Sequence, residues 1–395
     1  MISEKMKPLV NNNSAIRAMF EEGNRLAAQF GRENVFDFSL GNPNVPAPAE
    51  VKQALLDVLN EEDSCFVNGY MSNAGYPDTR KAVADSLNRR FGTSYTAENL
   101  IMTVGAAFAL NILLKTILNP ADEVVTFAPY FVEYGNYVRN YDGVLKVVPA
   151  NTDGFQPDVE GFRAAITEKT KAVIINTPNN PTGIVYSVET LKALQKVIEE
   201  KEAEYGNVIV TISDEPYREL AYDGVEVPWV PDYIAHAVVV YSYSKSLSLP
   251  GQRIGWLLVP GSLPGWEKVI SAATIANRVC GAVNAPSLIQ RALIRCIDAS
   301  TDIEAYNANR ELLWGGLKEL GFECAKPQGA FYLFVKAPDG DDAHFVDICK
   351  KYNVLVVPGK SFACAGYVRL AYCVSNDMIR RSLPAFKKIA EECGL

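Results

Sequence analysis

Val239-Val240-Tyr241-Ser242-Tyr243-Ser244-Lys245-Ser246-Leu247-Ser248-Leu249-Pro250-Gly251-Gln252-Arg253-Ile254-Gly255-Trp256 is the stretch on which the reading of this chain turns. An apolar, β-branched run stops abruptly at two serines and a single lysine. A short loop with Pro250 and Gly251 follows, then Arg253, then a second apolar run from Ile254 to Val259. A lysine just past the end of a buried strand stands where open α/β sheets place their ligands. Desolvation there disfavours the ammonium and favours a neutral, nucleophilic amine. The hydroxyls of Ser242 and Ser244 with the guanidinium of Arg253 make a cradle for a phosphate. A lone lysine in a loop is ordinarily just solvated, so the reading depends on what surrounds Lys245.

On both sides of this stretch the chain alternates between strand-like and helical patterns. Strand-like runs occupy Leu100–Thr103, Glu123–Phe127, Leu145–Val148, Ala172–Ile175, Val208–Ile212, Ala237–Ser242 and Arg253–Val259. Helical stretches over Ala107–Leu118, Phe131–Tyr141, Pro157–Ile166 and Val188–Glu200 lie between several of them. Such alternation predicts an α/β fold whose mostly parallel sheet is covered by helices. Upstream, a loose arm (Asn11, Asn12, Asn13, Ser14) leads into a helix that Ser14 can cap, with Ile16, Met19, Phe20, Leu26 and Ala27 at helical spacing. Phe36 to Leu40 alternates like a short strand, and a helix is predicted over Ala49–Leu59. Downstream, a long amphipathic helix is predicted over Leu288–Leu320. Strands follow at Phe331–Val335, Val354–Gly359 and Tyr367–Leu370, and a helix over Asn376–Cys393 closes the chain. These describe a large α/β domain over 46–286 with a seven-stranded sheet. A smaller α+β domain comprises 1–45, with the N-terminal arm, and 287–395.

Composition narrows the function classes. At 395 residues and 48% hydrophobic, the chain can bury one large core and a second, smaller one. Its net charge of −8 and its lack of long like-charge runs argue against nucleic acid or an anionic membrane as partner. The eight cysteines are scattered with no CxxC pair, which argues against a zinc site or a disulfide framework and for a reducing cytoplasm. No signal peptide opens the sequence, and no apolar run approaches the roughly 18 residues of a membrane-spanning helix. With only two histidines, His236 and His344, no histidine-built metal site is expected. Neither GxGxxG nor GxxxxGK[ST] follows any strand, so dinucleotide and P-loop sites lack their main signal.

Other strand ends bring further chemistry to Lys245. Thr177-Pro178-Asn179-Asn180-Pro181-Thr182-Gly183 is a proline-locked turn that presents an asparagine amide. Ser213-Asp214-Glu215-Pro216-Tyr217 ends a strand with a carboxylate and, three residues on, a phenol. A carboxylate there would hold a pyridine nitrogen in its protonated form. Gly105-Ala106-Ala107 opens a helix whose first amides can face an anion. Gly41-Asn42-Pro43-Asn44 is either a ligand-approaching turn or a plain interdomain one. Tyr70, in Tyr70-Met71-Ser72-Asn73-Ala74-Gly75-Tyr76, marks a subunit contact or packs on its own domain. A reactive amine beside a phosphate site and a carboxylate is what pyridoxal phosphate requires.

With these motifs together (NNPTG, SDEPY, SYSKSLSLPGQRIGW, PGKSF and a later VRL), the chain from Gly41 to Arg369 resembles the class I/II aminotransferases. These are the fold-type-I pyridoxal-phosphate enzymes of the aspartate aminotransferase superfamily. The resemblance implies that Lys245 is the Schiff-base lysine and the base that shuttles the substrate's Cα proton. It implies that Asp214 pairs with the pyridinium nitrogen and that Asn180 and Tyr217 hydrogen-bond the ring's phenolate oxygen. Ser242, Ser244, Arg253, Gly105 and the amides of Ala106 and Ala107 would bind the phosphate, and Phe131 would stack on the ring. Gly41, Asn180 and Arg369 match the substrate α-carboxylate site. Tyr70 resembles the tyrosine that reaches the neighbouring active site, which implies a homodimer.

The activity implied is amino transfer from an L-amino acid, first aspartate, to a 2-oxo acid, 2-oxoglutarate, by a ping-pong mechanism. Aminotransferases for alanine, aromatic amino acids or methionine, and a C–S β-lyase, share the scaffold. A cofactor-sensing regulator would carry an N-terminal DNA-binding domain, which this acidic chain does not suggest. Some relatives place a lysine near the phosphate-loop helix start for a distal carboxylate; here Ala106, Ala107 and Phe108 stand there. Other relatives use a partner-subunit arginine several residues before an Asn-x-Pro stretch; Arg278, upstream of Asn284-Ala285-Pro286, is a candidate for that role or for an ordinary ion pair, as is Arg17 in the arm.

Overall fold

The structure is a computed structural model that describes residues 1–11 and 15–395, without the side chains of 11, 15–18 and 20. A two-residue strand, β1 (Phe36–Asp37), precedes the main sheet. Seven strands then follow in chain order: β2 (Leu100–Thr103), β3 (Glu123–Phe127), β4 (Val144–Val148), β5 (Thr170–Asn176), β6 (Val210–Asp214), β7 (Ala237–Ser242) and β8 (Gly255–Leu258). Their order across the sheet is β2-β8-β7-β6-β5-β3-β4. Only β8 runs against its neighbours, pairing antiparallel with both β2 and β7. A seven-stranded, mostly parallel sheet is therefore present, as the alternation predicts.

Both faces of the sheet are covered, which is why its strands read as nearly unbroken apolar runs. Successive residues take opposite sides. Val124 and Ile174 join Leu110, Leu113 and Ala273 on one face, while Val125, Val173 and Ile175 join Leu191, Leu194 and Ile198 on the other. Each such valine, leucine or isoleucine, withdrawn from water, contributes about 1.5–3 kcal/mol. The covering helices have readable ends. Ser187 accepts from the Thr190 amide at 3.1 Å to start Val188–Tyr205, and Gly206 ends that helix in a left-handed conformation.

The smaller unit holds β9 (Tyr332–Lys336), β10 (Val354–Leu355), β11 (Val357–Pro358) and β12 (Tyr367–Ala371). Strands β11, β12 and β9 form an antiparallel sheet, while β10 pairs in parallel with β1. The run expected as one strand over 354–359 is thus split between two sheets. Phe38, near the N-terminus, is buried with Phe331, Phe345 and Phe386, so the first segment packs with the C-terminal one. The closing helix spans Asn376–Cys393, capped by Ser375.

Three expectations need correction. The single helix over Leu288–Leu320 is two helices, Ser287–Cys296 and Ile303–Glu319. Asp302 caps the second by accepting from the Ala305 amide at 3.0 Å, and Asp298 is held by Ser86 and Arg89. Polar, capping side chains at 298–302 interrupt the periodicity. Ser287–Cys296 packs on Ala49–Glu61 and Pro77–Phe91, on the large-unit side of the boundary drawn at 286/287. Finally, the helix expected from Phe131 begins only at Tyr134. The cap expected at Ser14 lies outside the described residues.

Candidate active site

The register of the sheet brings the candidate residues to one edge. Asn176, the last residue of β5, pairs with Asp214, the last of β6, and Ser242, the last of β7, pairs with Gly255. Because β8 is antiparallel, its first residue Gly255 also faces Thr103, the last of β2. The carboxyl ends of the parallel strands therefore meet the loop carrying Arg253 and the turn at Gly105. A cleft of about 1120 Å³ opens over them.

Lys245 sits in the helical turn Tyr243–Ser246, with Ser242 as its cap. Its amine donates to the carbonyl of Gly41 at 2.9 Å and lies 5.0 Å from the centre of the Phe331 ring. Burial pulls its pKa down to about 8, and the charges of Arg369 and Arg253 push the same way, against Cys373. The amine is thus far easier to obtain uncharged than that of a solvated lysine.

Asp214 is buried, and burial raises its pKa to about 7. Its Oδ2 accepts the Tyr134 hydroxyl at 2.5 Å, which works in the opposite direction. Its Oδ1 is buried with no partner among the described residues. A buried carboxylate oxygen without a donor is costly, and a cationic N–H from a ligand would complete it. The neighbouring Glu215 is committed to structure through Ser213 and an ion pair with Arg218.

The opposite end of the edge is built for an anion. Gly105, at φ +88°, starts the helix Ala106–Ile117. A Cβ at 105 would lie 2.7 Å from Arg253 Nη2, so only glycine lets this turn approach the guanidinium. Arg253 is aimed by the carbonyls of Pro250 and Val104, at 3.0 and 3.1 Å. The hydroxyls of Ser242 and Ser244 lie 2.7 Å apart. Together with the first amides of the helix, these groups suit a phosphate.

Arg369, on β12, is 2% exposed yet pairs with no acid among the described residues. It donates to Asn180 Oδ1 at 3.1 Å and to the carbonyl of Ser39 at 2.7 Å, and its Nε has no partner. The Tyr332 ring lies 4.5 Å from the guanidinium, and the Tyr332 hydroxyl 3.0 Å from that of Tyr217. A Cβ at Gly41 would sit 2.1 Å from that same Tyr332 oxygen. Burial lowers the pKa of Arg369 and raises that of Tyr217 well above its usual range. An unpaired buried guanidinium is a site waiting for a carboxylate.

Gly41, Ala106, Ala107, Phe131, Asn180, Asp214, Tyr217, Ser242, Ser244, Lys245, Arg253 and Arg369 all line this cleft, and Gly105 supports it from beneath. Tyr70 does not join them: it is 94% exposed on the same chain. Arg278 is exposed on Trp266–Val279 and does not line the cleft of its own chain, and the side chain of Arg17 lies outside the described residues. Sequence reasoning missed Tyr134, Tyr332, Asn176 and Glu133. Asn176 had a signal, since it ends a strand just before the NNPTG turn; its amide donates to the Asp214 carbonyl at 2.8 Å and its oxygen accepts from the Asn180 amide at 2.7 Å. Among the described residues no cluster of His, Cys, Asp or Glu could hold a metal ion.

A buried amine, a carboxylate lacking a donor and an anion cradle at one sheet edge define a class of protein that the whole sequence also identifies. Residues 33–386 match the family model of aminotransferase class I and II, and the chain belongs to that family, which uses pyridoxal phosphate. It is 34% identical over 365 residues to the aspartate/prephenate aminotransferase of Thermus thermophilus, covering 88% of this chain and 89% of that one. Among solved structures it is similar to an amino transferase from Eubacterium rectale, with TM-score 0.97 and 45% identity over all of both chains. It is also similar to the aspartate aminotransferase from Thermus thermophilus with maleate, with TM-score 0.87 and 31% identity over 98% of this chain and 99% of that one.

Proposed function

We propose that this cleft binds pyridoxal phosphate and moves the amino group of an L-amino acid to a 2-oxo acid in two half-reactions. The observation that carries the reading is the pairing of a buried, easily deprotonated Lys245 with an Asp214 oxygen that lacks a donor. When bound, the cofactor supplies a carbonyl carbon that takes up the amine and a ring that accepts electrons from the substrate. Asp214 Oδ1 would accept from the ring nitrogen and hold its proton there, while Tyr134 keeps the carboxylate in place. Ser242, Ser244, Arg253 and the amides of Ala106 and Ala107 would hold the phosphate, and Phe131 would cover the ring. Tyr217, together with the Asn180 amide nitrogen, would donate to the ring oxygen. Arg369 and Asn180 would fix the substrate α-carboxylate, bringing its Cα toward Lys245. The uncharged Lys245 Nζ would then remove the Cα proton and carry it to the carbon on the other side of the transferred nitrogen.

The names of the relatives, an aspartate/prephenate aminotransferase and an aspartate aminotransferase, support aspartate among the donors. The lining of the cleft supports the α-carboxylate end alone, and the donor's side chain is taken up below. The exposed Tyr70, Ile275 and Val279 support a homodimer in which Tyr70 completes the neighbouring site. Eight free cysteines support a reducing, cytoplasmic compartment.

Single-turnover absorbance of the loaded protein with a panel of amino acids tests the reading. Loss of the band in the roughly 360–430 nm range of the lysine-bound cofactor, with pyridoxamine phosphate as product, is the expected result. Pyruvate and ammonia from cystathionine, with no donor converting the cofactor, would replace it with C–S lysis.

A further inference from the structure

The cleft is charged unevenly. Its lining holds three cations, Lys245, Arg253 and Arg369, and beside Asp214 a single further carboxylate, Glu133. The cations are all taken by the cofactor and by the substrate's α-carboxylate in the aminotransferase reading, on which this inference rests. Glu133 is not. It precedes the helix Tyr134–Asn140 without capping it, and its Oε2 accepts from Asn136 Nδ2 at 2.8 Å, also on the cleft wall. It forms no ion pair with any described residue. The same cleft is also lined by apolar side chains: Leu9 from the N-terminal segment, Leu110 from the helix Ala106–Ile117, and Val132.

An amino acid anchored by its α-carboxylate on Arg369 leaves only its side chain to meet this wall. A second carboxylate reaching Glu133 would meet its charge with no spare cation among the described lining residues of this chain to offset the repulsion. An apolar side chain would find Leu9 and Leu110, and one ending in an ammonium, guanidinium or amide would find an acceptor.

We propose that Glu133 sets the charge selectivity of the side-chain end of the cleft, so that the donors are L-amino acids with neutral or positively charged side chains rather than aspartate or glutamate. Discrimination of this kind works by repelling the wrong substrate as much as by holding the right one.

The test compares kcat/KM of the holoenzyme for alanine, methionine, lysine and aspartate, in the native protein and in Glu133→Gln. Glutamine keeps the oxygen that Asn136 binds and removes the charge. Calorimetric binding of succinate and butyrate, neither of which can react, provides a readout independent of turnover. The native enzyme is expected to favour at least one neutral or basic donor over aspartate. Glu133→Gln is expected to raise the aspartate-to-alanine ratio, and the succinate-to-butyrate affinity ratio, by about tenfold. A native enzyme that prefers aspartate overturns the proposal, as do ratios that move less than twofold. Turnover of no amino acid at all would instead sink the aminotransferase reading, and the succinate-to-butyrate ratio would still decide the role of Glu133.

Discussion

The amine of Lys245 donates to the carbonyl oxygen of Gly41 across 204 positions of sequence. This bond ties the N-terminal segment to the loop that ends β7, and it is the only polar contact the amine has within the described residues. The rest of its surroundings, Phe331 among them, are poor replacements for water. Burial accordingly depresses its pKa to about 8.

A depressed lysine is a stability statement. Between about 8 and the usual 10.4 of a solvated lysine, the unfolded chain binds more protons at this position than the folded one. Stability therefore rises with pH through that window, and the penalty stands in full below about 8. Lys245→Met should stabilise the cofactor-free protein at pH 7, by on the order of 3 kcal/mol. That advantage should shrink toward zero by about pH 10. Urea unfolding of both proteins at the two pH values measures it, and an advantage that does not change with pH would refute the burial argument. The same variant should show no amino transfer.

Asp214 has the opposite sign. Its pKa is raised to about 7, so the folded protein holds a proton here that the unfolded chain releases near 4. Cofactor-free protein should lose stability from this group as pH rises from about 4 to about 7, and Asp214→Asn should lack that component. The asparagine can still accept from Tyr134 and cannot hold a ring nitrogen protonated by charge. Activity of Asp214→Asn should fall at least about a hundredfold, with weaker cofactor retention on dialysis.

Arg369→Lys tests the carboxylate site. Lysine offers one point charge in place of a planar fork and cannot reach Asn180 and Ser39 together while leaving a second face for substrate. We expect kcat/KM for every amino acid to fall by about a hundredfold or more. The absorbance of the bound cofactor should persist, because Arg369 belongs to the substrate end of the cleft. Loss of cofactor in this variant would contradict the assignment.

Gly105→Ala probes the anion cradle. Its Cβ would press on Arg253 Nη2 at 2.7 Å and would force a side chain into φ +88°. About 1–3 kcal/mol of backbone strain is expected, with cofactor affinity, read by fluorescence titration, reduced about tenfold or more. A variant that retains native affinity would show that Arg253 does not need its present position.

Much of this arrangement is legible in the chain itself, for physical reasons. Ala237–Ser242, Glu123–Phe127 and Leu100–Thr103 match their strands residue for residue, because strands buried on both faces need apolar, β-branched runs and stop where these stop. Asp214, Ser242 and Lys245 stood at strand ends, where sequence patterning breaks and polar chemistry shows, whereas Arg369 lies within β12. Tyr332 was hidden for the converse reason. Within Phe331-Tyr332-Leu333 an aromatic ring reads as core, and the partners of its hydroxyl and ring, Tyr217 and Arg369, come from other elements. Tyr134 was masked likewise by Tyr130 and Tyr137 at helical spacing. Glu133 gave no signal, since a lone acidic residue near a helix start is commonplace. The break at 298–302 was missed because apolar periodicity on either side outweighed a short polar interruption.

The one antiparallel strand has a consequence for how the protein comes off the ribosome. Strand β8 is the last of the sheet to be synthesised, yet it lies between β2 and β7. Until it emerges, β2 has no partner and Gly105 has not met Arg253. A nascent chain ending before Gly255 would hold Lys245 and Asp214 without a closed sheet beneath them. One ending before Arg369 could complete the phosphate cradle and still offer nothing to a carboxylate. The residues proposed to hold the phosphate are thus synthesised before the arginine proposed to hold the carboxylate, and the reactive amine exists in the growing chain well before that arginine.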